Sequence, residues 1–223
     1  AAVDPEADGP GVVVRTSIDR HARATVRLLP AYEPAPDPVA QPLTGEVPLP
    51  CTPERLYADG HLFHGPEYQG VLTFDESGAD GIRGRLVSRP APGALLDNAG
   101  QLFGFWVANA VDKDRLVLPT SIDRISFWGP HPEPGVELDC VVNVTELGEV
   151  SVRADLELTI DGPDGSTVWC RIEGWEDRRF QTDDALFDLL RAPHRLTLAQ
   201  PQPGGWFLVR EAWPDSASRD VVR

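Results

Sequence analysis

The run from Ala94 to Val111 constrains this chain more than any other. Read as a helix, it spreads Leu95, Leu96, Ala99, Leu102, Phe103, Phe105, Trp106, Val107 and Ala110 over most of the helical wheel. A helix apolar on nearly every side has no face to offer water, so other structure must wrap it. Further long helices are excluded as the wrapping. The 223 residues carry 22 prolines and 20 glycines, and each tends to end an element interior.

Strands supply the wrapping instead. Val150, Val152, Ala154, Leu156, Leu158 and Ile160 alternate with Ser151, Arg153, Asp155, Glu157 and Thr159, the period-two signature of a half-buried strand. Asp161-Gly-Pro-Asp-Gly165 reads as a turn, after which Val168, Cys170 and Ile172 resume the alternation, so a hairpin is expected. Residues 116–128 and 136–145 read as two more strands, and 68–74 and 81–88 as strands ahead of the helix. The sum is an α+β unit, a strongly curved antiparallel sheet around one central helix. That architecture is the hotdog fold.

The flanks differ in character. Residues 1–10 are acidic without an apolar period and read as a disordered leader, and 12–29 holds two shorter strand-like stretches. Pro30, Pro34, Pro36, Pro38, Pro42, Pro48, Pro50 and Pro53 crowd the next segment. Such density opposes ladder pairing and favours a stiff, extended linker. Residues 183–190 read as a short helix and 206–213 as a last strand or docked tail. The expected division is a leader with remnant strands of a preceding unit over 1–29, a linker over 30–54, the hotdog over 55–175 and an extension over 176–223.

Charge and cysteine narrow the function classes. With 35 acidic and 20 basic residues the formal charge is −15, which excludes a nucleic-acid binder and an anionic membrane surface as partners. No uncharged apolar run reaches the roughly 18 residues of a membrane span, and the N-terminal residues do not form a signal peptide, so a cytoplasmic location is expected. Cys51, Cys140 and Cys170 are odd in number and lack C-x-x-C spacing, so neither a disulfide framework nor a metal site is signalled.

Two constellations carry chemistry. Asp97 and Gln101 stand four apart and project from one face of the central helix. Asp97 is either a helix cap with Gln101 making a local bond, or a carboxyl group facing a substrate channel with Gln101 orienting it. A general acid at neutral pH requires apolar surroundings to outweigh the helix dipole. The second constellation is Tyr57-Ala-Asp-Gly-His-Leu-Phe-His-Gly-Pro-Glu-Tyr-Gln-Gly70, where His64-Gly65-Pro66 followed by Tyr68 makes a tight turn before a strand. The plain reading is a structural turn with His61 and His64 solvated. His61-x-x-His64 has no further ligands at matched spacing, so no metal is inferred.

Together, the stretches Leu62-Phe-His-Gly-Pro-Glu-Tyr-Gln-Gly70 and Leu95-Leu-Asp-Asn-Ala-Gly-Gln101 resemble polyketide synthase dehydratase domains. In that family a Tyr-Gly-Pro-x-Phe turn precedes a helix bearing Asp-x-x-x-Gln or Asp-x-x-x-His, both in the second of two hotdogs. The resemblance covers residues 55–175. The proline-rich stretch corresponds to the linker between hotdogs, and residues 12–29 resemble the end of the first. Gly174-Trp-Glu-Asp-Arg-Arg-Phe180 and the stretch 205–213 are similar to iterative synthases of the enediyne and polyunsaturated-fatty-acid kind.

The resemblance implies a lyase that removes water from a β-hydroxyacyl chain held as a thioester on an acyl carrier protein. The carrier's phosphopantetheine is then the tether and no other cofactor is expected. Asp97 would protonate the departing hydroxyl, Gln101 would orient Asp97, and Gly65, Pro66 and Tyr68 would line the substrate side of the turn. The family's base is a histidine of the first hotdog, in His-x-x-x-Gly-x-x-x-x-Pro. His21 to Pro30 has Thr25 in place of that glycine, and His61 has Gly70 in place of that proline. Either the base lies upstream of this chain, or His64, which replaces the turn's usual tyrosine, serves.

The implied partners are the carrier protein, the upstream hotdog half with other synthase domains, and a second copy in a homodimer. Arg83, Arg85 and Arg89, with Arg178 and Arg179, are either carrier-docking groups or a solvated strand edge. A hotdog cyclase of the product-template kind and a non-catalytic dimerising half are the rival readings.

Overall fold

The computed structural model describes residues 2–4, 11–49, 51–58, 62, 64–112, 114–163, 165–180, 199–202, 206–210 and 219–222. In chain order the strands and helices are β1 (Ala2–Asp4), β2 (Val12–Ile18), β3 (Ala22–Leu28), β4 (Val47–Pro48), α1 (Pro53–Ala58), β5 (Val71–Gly78) and β6 (Gly81–Val87). Then come α2 (Ala94–Ala110), β7 (Leu116–Ser121), β8 (Arg124–Phe127), β9 (Glu137–Leu147), β10 (Ser151–Gly162) and β11 (Gly165–Phe180). The last are β12 (Ala199–Gln202), β13 (Trp206–Arg210) and β14 (Arg219–Val222).

The main sheet runs β4-β5-β6-β9-β10-β11-β7, antiparallel throughout, with β8 also on β11. α2 packs along its concave side. Leu95, Ala99, Leu102, Phe103, Trp106 and Val107 of α2 are sealed against Ile82, Leu86, Leu138, Val142, Leu156, Leu158 and Ile172. Each large side chain withdrawn from water here contributes about 1.5–3 kcal/mol, which is what holds an all-apolar helix in place. The expected wrapped helix and curved sheet are therefore what forms, with boundaries within a few residues.

Four details depart from the sequence reading. The segment 116–128 divides into β7 and β8, which lie along successive stretches of the long β11. The leader is partly structured, since Ala2–Asp4 pairs with residues 13–15. The proline-rich linker is hydrogen-bonded to the main sheet and its β5–β6 turn, contacts that the sequence reading did not foresee. The Val39 and Ala40 amides donate to the buried Glu157 carboxylate, Gln41 N donates to Asn143 Oδ1, and Thr44 donates to Asp80 through both N and Oγ1. Its end also opens α1, with Pro53 at the first helical position where a missing N–H costs nothing.

His61, the helix expected over 183–190 and residues 211–213 lie outside the described residues. Residues 206–210 do form a strand, β13, between β12 and β14. No helix among the described residues is long and apolar enough to cross a membrane.

Candidate active site

Asp97 does not cap α2. The N-cap is Gly93 in a left-handed conformation (φ 80°), with no side-chain cap bond, and Asp97 sits in the first helical turn with its amide already bonded to Gly93 O at 3.0 Å. Its carboxylate instead accepts a 2.7 Å bond from Gln101 Nε2, the partner the four-residue spacing anticipated. The Asp97 side chain is 40% exposed, whereas that of His64 is 21% exposed, and His64 Nε2 lies 3.6 Å from Asp97 Oδ2. The solvated His64 of the plain turn reading is thereby corrected: the ring is half-buried beside the carboxylate. Burial pushes the His64 pKa below its ordinary value, while the Asp97 charge pulls it the other way.

The turn that carries His64 is built as its sequence suggested. Gly65 precedes a single 3-10 turn, Pro66–Tyr68, and Tyr68 N donates to Gly65 O at 2.9 Å. The strand expected from residue 68 begins only at Val71, because residues 66–68 coil and Gln69 N bonds back to Pro66 O. Side chains then grip the turn's backbone. Gln101 Nε2 donates to Tyr68 O, Arg89 donates to Gln69 O through Nε and Nη2, and Asn98 Oδ1 accepts from Gly70 N. Tyr68 Oη donates to Pro92 O, tying the turn to the loop that enters α2.

Gly70 is required there, since a Cβ would lie 2.2 Å from Asn98 Nδ2 and 2.8 Å from Val87 O.

Sequence reasoning missed three members of this site: Tyr57, Asn98 and Arg89 in its gripping role. Tyr57 Oη donates to Gln101 Oε1 at 2.8 Å and accepts from Val71 N at 3.3 Å. Burial above all pushes the Tyr57 phenol up to about 12, so it stays a donor throughout the physiological range. Tyr57 opens the quoted constellation and Asn98 adjoins Asp97, but neither forms a spacing pattern of its own. Among the described residues no group of three or more His, Cys, Asp or Glu could hold a metal.

The arginine run is largely neutralised. Arg83 pairs with Glu46 at 2.9 Å and Glu76 at 3.7 Å, and Arg85 pairs with Glu137 at 3.2 Å.

Residues 35–185, which span the main sheet and α2, match the family described as the polyketide synthase dehydratase N-terminal domain. The chain belongs to the polyketide synthase dehydratase family.

Solved dehydratase domains share the fold. That of a mycocerosic acid synthase-like polyketide synthase is 20% identical with a TM-score of 0.54, over 81% of this chain and 68% of that one. The dehydratase domain from the CurJ module of curacin polyketide synthase is 14% identical with a TM-score of 0.52, over 80% and 67%. That of RzxB from Pseudomonas fluorescens is 13% identical with a TM-score of 0.51, over 78% and 66%. This chain thus spans about two thirds of each. No curated protein matches it. The hotdog architecture expected from the wrapped helix is the one these domains share.

Proposed function

We propose that this chain is the acid-bearing half of a dehydratase acting on a β-hydroxyacyl thioester of an acyl carrier protein within a larger synthase. Asp97 gives its proton to the departing β-hydroxyl, a histidine takes the α-proton, and water leaves as the double bond forms. The observation that carries this reading is the placement of Asp97: released from capping, held by Gln101 at 2.7 Å, and open to one side beside His64. A carboxyl group in that setting is positioned to meet a chain presented from outside. The assignment to the second hotdog rests on the Asp97-x-x-x-Gln101 motif, whereas the matching family description names the N-terminal domain. Gly65, Pro66 and Tyr68 form the turn against which the acyl chain lies, and the phosphopantetheine arm is the only cofactor called for.

In this reading the base is a histidine outside this chain. The isolated chain is expected to dehydrate a β-hydroxyacyl pantetheine thioester no faster than background, with Asp97→Asn leaving that background unchanged. Joined to a histidine-bearing hotdog half, the same substitution should lower kcat by about 10²–10⁴-fold, the usual worth of one positioned proton donor. An active pair indifferent to Asp97→Asn would sink the proposal.

One observation favours a second reading. His64 Nε2 is 3.6 Å from Asp97 Oδ2, and burial favours the neutral imidazole, the form able to accept a proton. Robust turnover by the isolated chain, lost in His64→Ala, would make His64 the base. A ring-closed product in place of the enoyl thioester would point to a cyclase. A homodimer that no variant of Asp97 affects in any assay would mark a structural half.

A further inference from the structure

Gln101 has one side-chain nitrogen with two protons, and three acceptors surround it. These are Asp97 Oδ2 at 2.7 Å, Tyr68 O at 2.9 Å and Asn98 Oδ1 at 3.1 Å. The amide cannot be turned over, because its oxygen would then face Asp97 Oδ2 and Tyr68 O, both acceptors, whereas Tyr57 Oη can donate to Oε1 as it stands. Asn98 is equally fixed: both groups at its Oδ1, Gly70 N and Gln101 Nε2, are donors, so the oxygen must face them. Its own Nδ2 is buried with no partner among the described residues, and Asn98 is 0% exposed. A buried donor left unpaired costs about 1–3 kcal/mol, a cost set against what the other end of the amide does. What the amide contributes is its oxygen.

A third acceptor is superfluous while Asp97 is ionised, because the carboxylate takes one Gln101 proton strongly and Tyr68 O takes the other. It matters when Asp97 carries its proton, the state a general acid must occupy before each turnover. A neutral carboxyl oxygen is a poorer acceptor, and the buried Gln101 N–H then needs another.

We propose that Asn98 is a positioning residue of the acid: its Oδ1 receives the Gln101 proton that Asp97 relinquishes on protonation, so Gln101 keeps its place in both states. This rests on Asp97 acting as the acid. The other groups facing the carboxyl are His64 on the turn before β5 and Tyr57 on α1, with Arg89 held on Gln69 O nearby.

The test uses the whole chain and needs no turnover, so it fails independently of the dehydratase reading. The Asn98 side-chain carbonyl carbon is followed by NMR from neutral pH down to about pH 3, across the range where carboxylates titrate. It should move with the same midpoint as the Asp97 carboxyl carbon, and do so again in His64→Phe, which removes the imidazole's own titration. In Asn98→Ala, hydrogen exchange of the Gln101 side-chain amide should match the wild type at neutral pH and be about tenfold faster than wild type once Asp97 is protonated, equivalent to about 1.4 kcal/mol of lost protection. Equal acceleration at both pH values would mean that Asn98 merely packs, and overturns the proposal. A flat Asn98 carbonyl signal overturns it without any variant, so an unfolded Asn98→Ala leaves the question decidable.

Discussion

At the scale of single residues, the site is made of polar groups that an apolar core tolerates only when paired. Asp177 shows what happens when pairing is incomplete. It is 3% exposed on β11 and accepts one bond, from Trp175 Nε1 at 2.7 Å. Burial raises its carboxyl to about 6 from an ordinary 3.8, against the smaller lowering effect of the tryptophan bond. The folded state therefore binds a proton more readily than the unfolded chain between these two values. Stability contributed by this group rises as pH falls from about 6 towards 4, and is lost as pH rises through about 6. Asp177→Asn keeps an acceptor for Trp175 and removes the buried charge. It is expected to raise unfolding free energy by about 1–3 kcal/mol near pH 8 and by close to nothing near pH 4, as read by urea titration at both. A gain of equal size at both pH values would mean that charge burial is not the cause. Asp97 and Gln101 were legible beforehand because spacing on a helix is a sequence property. Asn98 and Tyr57 were not, since their partners lie 28 and 44 residues away, nor was Asp177, which faces inward only because a bulge upstream in its strand shifts the alternation.

That bulge belongs to the scale of elements. Ala154 pairs with Trp175 but Leu156 pairs with Ile172, so β11 carries an extra residue around Gly174. Gly174 adopts φ +62°, its N–H donates to Asp155 Oδ1 at 2.7 Å, and an added Cβ would strike the side chains of Arg153 and Asp123. The consequence is that Ile172 and Trp175, three apart, both face the core, where strict alternation would turn one outward. The regular alternation of β10 made that strand easy to read, whereas the second half of β11 breaks the period and hid its length. The split of 116–128 escaped for the same reason, because each of its two strands takes its register from a different stretch of β11. Gly174→Ala is expected to cost about 1–2 kcal/mol from the left-handed backbone alone, with more from displacing Arg153. Gly174→Asn should cost less than the alanine, since asparagine tolerates that conformation. Chemical denaturation of the three proteins checks the order; an alanine variant as stable as the parent would mean that the bulge relaxes.

Across the whole molecule, stability is concentrated in one layer. The helix-facing side of β5, β6, β9, β10 and β11 holds the core, and the family membership follows from that unit. The ribbon β1–β3 is built otherwise. Opposed residues in it share a face, so Val12 with Leu28, Val14 with Val26 and Ile18 with Ala22 make one apolar side, and Arg15, Arg23 and Arg27 lie on the other. That apolar side is mostly open: Ile18 is 70% exposed and Leu28 55%. The sequence displayed this alternation only faintly, because a short ribbon with one apolar face reads like any edge. Small ribbons that bury so little are marginal in water. Backbone amides of Val12–Ile18 and Ala22–Leu28 should therefore exchange with solvent at least about 10²-fold faster than those of β9 and β10, whose opening requires global unfolding. Ile18→Glu should leave the unfolding midpoint of the main sheet unchanged, within about 0.5 kcal/mol, because it removes no buried contact there. Exchange as slow in the ribbon as in β9, or a main-sheet midpoint lowered by Ile18→Glu, would show instead that the apolar side is covered in solution and that ribbon and core unfold together.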